Sequence, residues 1–259
     1  MKQILLCFIL ILPLGAISQI NTEIYRKDYK KDGWMFGLDG LFSYSSGNTE
    51  ELSAEGGLRV DFNGKKQDYF AVINYEFESA NDEKIDDNAF IHLRTIRDIN
   101  KWLYWEVFLQ TQYDEFILLN HRHLAGTGAR FDVSKIVFPG KERSSRKLDL
   151  YYGLGAMWET EDYDLETRDT IFNLVRVTTY LTLNYKPNEM MRMSLVNYFQ
   201  PVLNKWSNFR NKLVFELEFI ITQRLSFISS VDFLHRSVPI GGTNRNDIKL
   251  KSGLRVRLP

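Results

Sequence analysis

The chain has 259 residues, with 33 Lys plus Arg against 33 Asp plus Glu and a mean hydropathy of −0.29. This balance lacks the basic excess that a nucleic-acid partner calls for, so none is expected. The single cysteine, Cys7, excludes a disulfide framework and a thiolate metal site, and no cofactor is expected.

Met1-Lys2-Gln3 gives a short basic start, and Ile4 to Leu14 is an almost unbroken apolar run. Ala16-Ile17-Ser18 then offers the small residues a signal peptidase reads. This is the three-part pattern of a secretory signal over 1–18, and Cys7 lies too early in it for a lipoprotein leader. The apolar run falls short of the roughly 20 residues a spanning helix needs. A short polar arm over 19–32 follows, expected to lie in the periplasm.

From Gly33 to the C-terminus one signal dominates, strict alternation of apolar and polar residues, which marks a strand with two different faces. Gly33–Ser45 sets Trp34, Phe36, Leu38, Phe42 and Tyr44 on one parity. Glu51–Asn63 sets Leu52, Leu58, Val60 and Phe62 against Glu51, Glu55, Arg59 and Asp61. The pattern predicts further strands at Asp68–Ser79, Asp87–Arg97, Trp102–Asp114, Asn120–Val133, Leu148–Glu159, Ile171–Tyr185, Glu189–Gln200, Ser207–Ile221, Leu225–Arg236 and Asp247–Leu258. The sixth and ninth are the most weakly patterned.

The runs are about 11 to 14 residues long, against a mean near 5 to 6 in soluble sheets. A tilted strand crossing a bilayer needs about 9 to 11 residues plus its rims. Aromatics gather near the strand ends, at Trp34, Tyr44, Tyr69, Phe77, Tyr113, Trp158 and Tyr185, as the interfacial girdles of a membrane barrel require. The expected fold is therefore all-β: a transmembrane antiparallel up-and-down β-barrel of about 12 strands over 33–259, reached through a signal peptide. An even strand number puts both termini in the periplasm, where turns should be short and outer loops longer. Asn63-Gly64-Lys65-Lys66, Asp98-Ile99-Asn100-Lys101, Lys186-Pro187-Asn188 and Thr222-Gln223-Arg224 are short and polar as expected, while 80–86 and 160–170 are longer and acidic. The basic connection 134–147 is long on the side where turns should be tight.

Ser45-Ser46-Gly47-Asn48-Thr49 after the first strand resembles the S-x-G-N-T turn of the salt-induced outer-membrane protein family, domain of unknown function 481. Asn88 with Leu93-Arg94, Gln110 with Gln112 and Asp114, Arg122 with Gly126 and Gly128, and Pro239 with Gly241 and Asp247 match that family's other elements in order. The resemblance runs from about Trp34 onward and implies an outer-membrane barrel. It carries no settled activity, and the family's name points to osmotic or salt stress. It also implies partners: outer-membrane lipid and lipopolysaccharide, and, during biogenesis, periplasmic chaperones and the barrel-assembly machinery. Leu258-Pro259 departs from the aromatic ending that this machinery reads in many barrels.

The parity opposite the apolar face is rich in charge of both signs: Glu51, Glu55 and Arg59; Glu76 and Glu78; His92 and Arg94; Arg210, Lys212, Glu216 and Glu218; Lys249, Lys251, Arg255 and Arg257. These are the expected lumen-lining residues. They would form either a narrow aqueous path or a self-paired plug, since isolated buried charges are too costly to leave unpaired. Barrels of about 8 strands are filled by side chains and those of 16 to 18 are open, so a barrel of about twelve lies between.

Two constellations invite chemistry. His235 and Ser237 share a strand face, and a carboxylate such as Asp232 would orient the imidazole of a lipid deacylase. His121 and His123 also share a face and would need Asp114 or Glu115 to complete a metal site, so a metal is not expected. The expected function is a non-enzymatic envelope protein, structural or a narrow pore for small solutes. The alternatives are an outer-membrane lipid hydrolase and a soluble periplasmic ligand-binding barrel with its apolar residues inside.

Overall fold

The computed structural model describes residues 33–45, 51–81, 83–139, 146–165, 170–240 and 244–258. The leader read at 1–18, the arm at 19–32 and residues 46–49 of the S-x-G-N-T turn lie outside these, as do the side chains of Glu51 and Arg257.

Twelve strands follow one another: β1 (Gly33–Ser45), β2 (Glu51–Asn63), β3 (Gln67–Ala80), β4 (Glu83–Asp98), β5 (Leu103–Asp114), β6 (Leu119–Asp132), β7 (Leu148–Tyr163), β8 (Thr170–Asn188), β9 (Met191–Val202), β10 (Lys205–Ile220), β11 (Leu225–Arg236) and β12 (Asn246–Leu258). Each pairs antiparallel with its sequence neighbours, and β1 closes the sheet on β12 through pairs such as Leu38 with Val256. At this seam Phe36 to Gly40 pair with Leu258 to Leu254, which closes the sheet into a cylinder at its terminal end.

The alternation sorts the residues as expected. Trp34, Leu109 and Trp158 on the outer face are 65%, 53% and 48% exposed, whereas Arg122 and Glu159 on the inner face are 1% and 0% exposed. Apolar side chains point out and ionic ones in, the arrangement of a barrel in lipid. It is the reverse of a soluble ligand-binding barrel, whose apolar side chains would line the interior.

The strand ends differ from the sequence expectation mainly at the end of the barrel away from the termini, hereafter the distal end. β4 starts at Glu83, β7 reaches Tyr163 and β10 starts at Lys205, so the expected long connections there shrink. Between β9 and β10 only Leu203 and Asn204 remain, and the β5–β6 turn is a 3-10 turn at Glu115–Ile117 with Leu118 at φ 58°. Length of connection therefore does not separate the two ends; ladder pairing extends as far as neighbouring strands offer backbone partners, whatever the polarity of the side chains. At the terminal end, four of the even-numbered connections are tight. Gly64 is needed in one of them, because a Cβ there would sit 2.7 Å from the carbonyl oxygen of Gln67.

The long 134–147 connection opens with one helical turn, α1 (Val133–Val137), capped by the Asp132 side chain accepting from Lys135 N at 2.9 Å. Beyond it, Arg146 returns as a buried side chain between Asp132, at 3.6 Å, and Asp149, at 3.0 Å. The Lys135 ammonium donates to the Tyr104 hydroxyl at 2.7 Å. The described ends of the connection, at Lys135 and Arg146, thus supply cations to Asp132 and Asp149.

Candidate functional site

The site is the lumen, and it divides into two parts. On the β5–β10 side the interior is filled. Glu159, on β7, is fully buried and faces three guanidinium groups. Arg122 Nη2 donates to its Oε2 at 2.6 Å, Arg210 Nη1 reaches both oxygens at 3.2 and 3.1 Å, and Arg176 Nε donates to Oε1. Glu161, two residues on and so on the same face, pairs with Arg122 at 3.2 Å and with Arg210. Arg210 lies on β10, so this contact crosses the lumen past two intervening strands. A second chord runs from Tyr180 on β8, whose hydroxyl donates to Glu106 Oε2 on β5 at 2.9 Å. Arg94 Nη1 donates to the same oxygen at 3.2 Å. Its Nε reaches His92 Nε2 at 3.3 Å, and His92 Nδ1 meets Gln110 at 2.9 Å.

Aromatic rings are interleaved with this network. The Phe70 ring lies 4.6 Å from the Arg59 guanidinium and 5.7 Å from that of Arg94, which also sits 5.2 Å from Phe108. Such faces attract cations that have been taken out of water. Phe70, Val72, Phe90 and Ile96 form a buried cluster inside the barrel, and Ile117, Leu119 and Tyr163 form another at the distal mouth. The lumen is thus not wholly ionic, and this part of the filling departs from the sequence expectation.

On the other side, along β10–β12 and β1–β5, a cavity of about 190 Å³ descends from Asp114, Arg236 and Asp247 at the distal rim. Its walls carry Lys251 between Glu55 at 2.7 Å and Glu76 at 2.9 Å, and Lys249 on Glu76 at 3.2 Å and on Asp86. Lys212 pairs with Asp232 at 3.2 Å. Toward the terminal end the cavity meets the Arg255 fork, which donates to Glu216 at 2.7 and 3.1 Å and to Asp39 at 3.0 Å. The carboxylates Asp39, Glu55, Glu76, Asp114, Glu216, Asp232 and Asp247 outnumber the cations Lys212, Arg236, Lys249, Lys251 and Arg255 along it.

Among the expected lumen residues, Glu55, Arg59, Glu76, His92, Arg94, Arg210, Lys212, Glu216, Glu218, Lys249, Lys251 and Arg255 are buried or half-buried on the inner face. Sequence reasoning missed Arg122, Glu159, Glu161, Arg176 and Tyr180 as lumen residues, and they are as deeply buried. Parity was the available signal, since Glu159 and Glu161 alternate with the outward Trp158. In β6 that signal is faint because Gly126 and Gly128 occupy inward positions.

The two chemical constellations come apart. His235 faces outward and bonds Asn246 Oδ1 at 2.6 Å, whereas Asp232 faces the lumen and pairs with Lys212. A three-residue offset on a strand puts side chains on opposite faces, so Asp232 is not placed to orient His235. The Ser237 hydroxyl accepts from Phe209 N at 2.8 Å and donates to Phe209 O at 3.1 Å, which ties it to the backbone. His121 and His123 are exposed on the outer face with rings 6.1 Å apart. Asp114 turns inward and Glu115 pairs with Lys84, so neither carboxylate joins them.

A closed, antiparallel twelve-stranded barrel with an apolar outer face and a charged interior defines the outer-membrane β-barrel class. Within that class, the family model described as "Protein of unknown function, DUF481" matches residues 40–257, and the chain belongs to that family. Among solved structures the chain is similar to the NanC porin, with a TM-score of 0.54 at 12% identity, covering 86% of this chain and 100% of that one. The translocator domain of the autotransporter NalP from Neisseria meningitidis gives 0.49 at 9% identity, over 89% and 90% of the two chains. The KdgM porin gives 0.45 at 7% identity, over 87% and 99%. At these identities the likeness concerns the fold alone. No curated protein matches the chain.

Proposed function

We propose that the protein resides in the bacterial outer membrane as a non-enzymatic barrel, with the terminal end in the periplasm, and that it passes small ions and polar solutes along one wall of a lumen otherwise plugged by its own side chains. The observation that carries this reading is the cavity descending from the distal rim to the Arg255–Glu216 fork beside a filled half. Rings of charge in a narrow path select permeant ions by field rather than by size alone. The excess of carboxylates along this path favours cations.

Planar-bilayer recording of the purified protein tests it. Wild type is expected to give steps well below those of an open porin, with a reversal potential shifted toward cations in a salt gradient. Arg255→Ala, which removes the fork, is expected to enlarge the step. Steps of open-porin size in wild type, or no current in either protein, would remove the pore reading. A link to osmotic or salt stress rests on the family's character and would appear as a growth defect of a deletion strain in high salt.

A further inference from the structure

The outer face carries a groove of about 480 Å³ near the terminal end of β2–β5, and its lining is almost wholly apolar. The ladder explains its shape. Val60, Ala71, Leu93 and Leu109 stand side by side across four strands, so the single methyl of Ala71 leaves a trough between larger neighbours. Trp34 closes one end, packing on Phe62 with ring centroids 5.1 Å apart. A membrane barrel presents apolar surface to lipid everywhere, and the trough alone would say nothing selective. The next outward row toward the terminal end, Phe62, Tyr69, Thr95 and Val107, is still largely apolar, and a polar margin begins one row further on. Gln67 pairs across the ladder with Arg97, and Arg97 with Trp105. The backbone carbonyl of Lys66 accepts from Asp98 N at 3.0 Å, which holds the β2–β3 turn, with Lys65 and Lys66, against the end of β4. Lys65, Lys66 and Arg97 are all exposed, and among the described residues no carboxylate pairs with any of them.

We propose that this trough and its basic margin bind one anionic glycerophospholipid of the leaflet at the terminal end. An acyl chain lies over Ala71, and the phosphate is held by Arg97 and the turn lysines. The inference rests on the membrane-spanning reading above. Charge complementarity selects the occupant, because three unpaired cations at headgroup level suit a net-negative headgroup better than a zwitterionic one. Trp105 and Trp34 sit where amphipathic rings mark the interface.

Native mass spectrometry of the full chain tests this, released from detergent micelles carrying equal amounts of phosphatidylglycerol and phosphatidylethanolamine. Wild type is expected to retain one phosphatidylglycerol. The double variant Arg97→Ala, Lys66→Ala should lower the preference for the anionic lipid by about thirtyfold, as losing roughly 1 kcal/mol per basic residue implies. Ala71→Trp, which fills the trough from the lipid side, should lose the adduct. Ala71→Phe serves if the larger ring impairs folding, judged by the mobility shift on boiling. Equal retention of both lipids by wild type, or adducts unchanged in the variants, would overturn the site. A dimer abolished by Ala71→Trp would assign the trough to a second copy of the chain and overturn the lipid. A chain that stays dispersed without detergent would instead sink the membrane reading, and this proposal with it.

Discussion

Glu159 holds the centre of the charge network because three guanidinium groups converge on one carboxylate with no exposure to water. Removing one partner of a buried pair strands its counter-ions, which costs about 3–5 kcal/mol. Glu159→Gln is therefore expected to lower unfolding stability by about 3 kcal/mol, read as an earlier midpoint in a urea titration followed by the mobility shift of the unboiled barrel. Arg176→Met should cost less, since Arg122 and Arg210 still satisfy Glu159. Equal midpoints for wild type and Glu159→Gln would show that the carboxylate contributes nothing. Gly153 makes a second residue-scale case. A Cβ at this inward position would lie 2.1 Å from the Tyr180 ring, the same ring whose hydroxyl reaches Glu106. Gly153→Leu should destabilise the barrel by about 1–3 kcal/mol through overpacking. Adding Tyr180→Ala should recover part of the loss, and additive losses in the double variant would argue against the contact.

At the scale of the element, alternation decides what each strand can do. β11 presents Asp232 to the lumen and His235 to the outside, so a strand rich in catalytic residue types assembles no triad. Ser237→Ala and His235→Ala are accordingly expected to leave any lipid hydrolysis by the preparation unchanged, measured with labelled lipid A and phospholipid. Turnover that disappears in either variant would restore the enzyme reading. β6 and β7 show how small residues shape a wall. Gly128 and Gly155 are ladder partners, and a Cβ on Gly155 would lie 2.4 Å from the carbonyl oxygen of Thr127 and 2.8 Å from Gly128 Cα. The two strands thus approach more closely than side chains would permit, beside the bulky Tyr180 and Phe108. The same glycines that make this packing possible blur β6 as a sequence pattern.

For the whole molecule, a count of about twelve strands, their order, their approximate bounds and the outward parity were legible along the chain. Those follow from a period of two and from the length a tilted strand needs, both local properties. The sequence also placed charges of both signs inside, through the parity opposite the apolar face. How those charges meet is set by the closed barrel. Arg210 with Glu159, Tyr180 with Glu106 and Lys251 with Glu76 lie on strands that are not neighbours, and their contact depends on the barrel's girth and tilt rather than on spacing along the chain. The same holds for the split between a filled half and an open wall, for the pairing of Arg146 with Asp132 and Asp149, and for the basic margin beyond the Ala71 trough. Closing the sheet turns a list of alternating residues into an interior, because only then do side chains far apart in sequence share one small volume shielded from water.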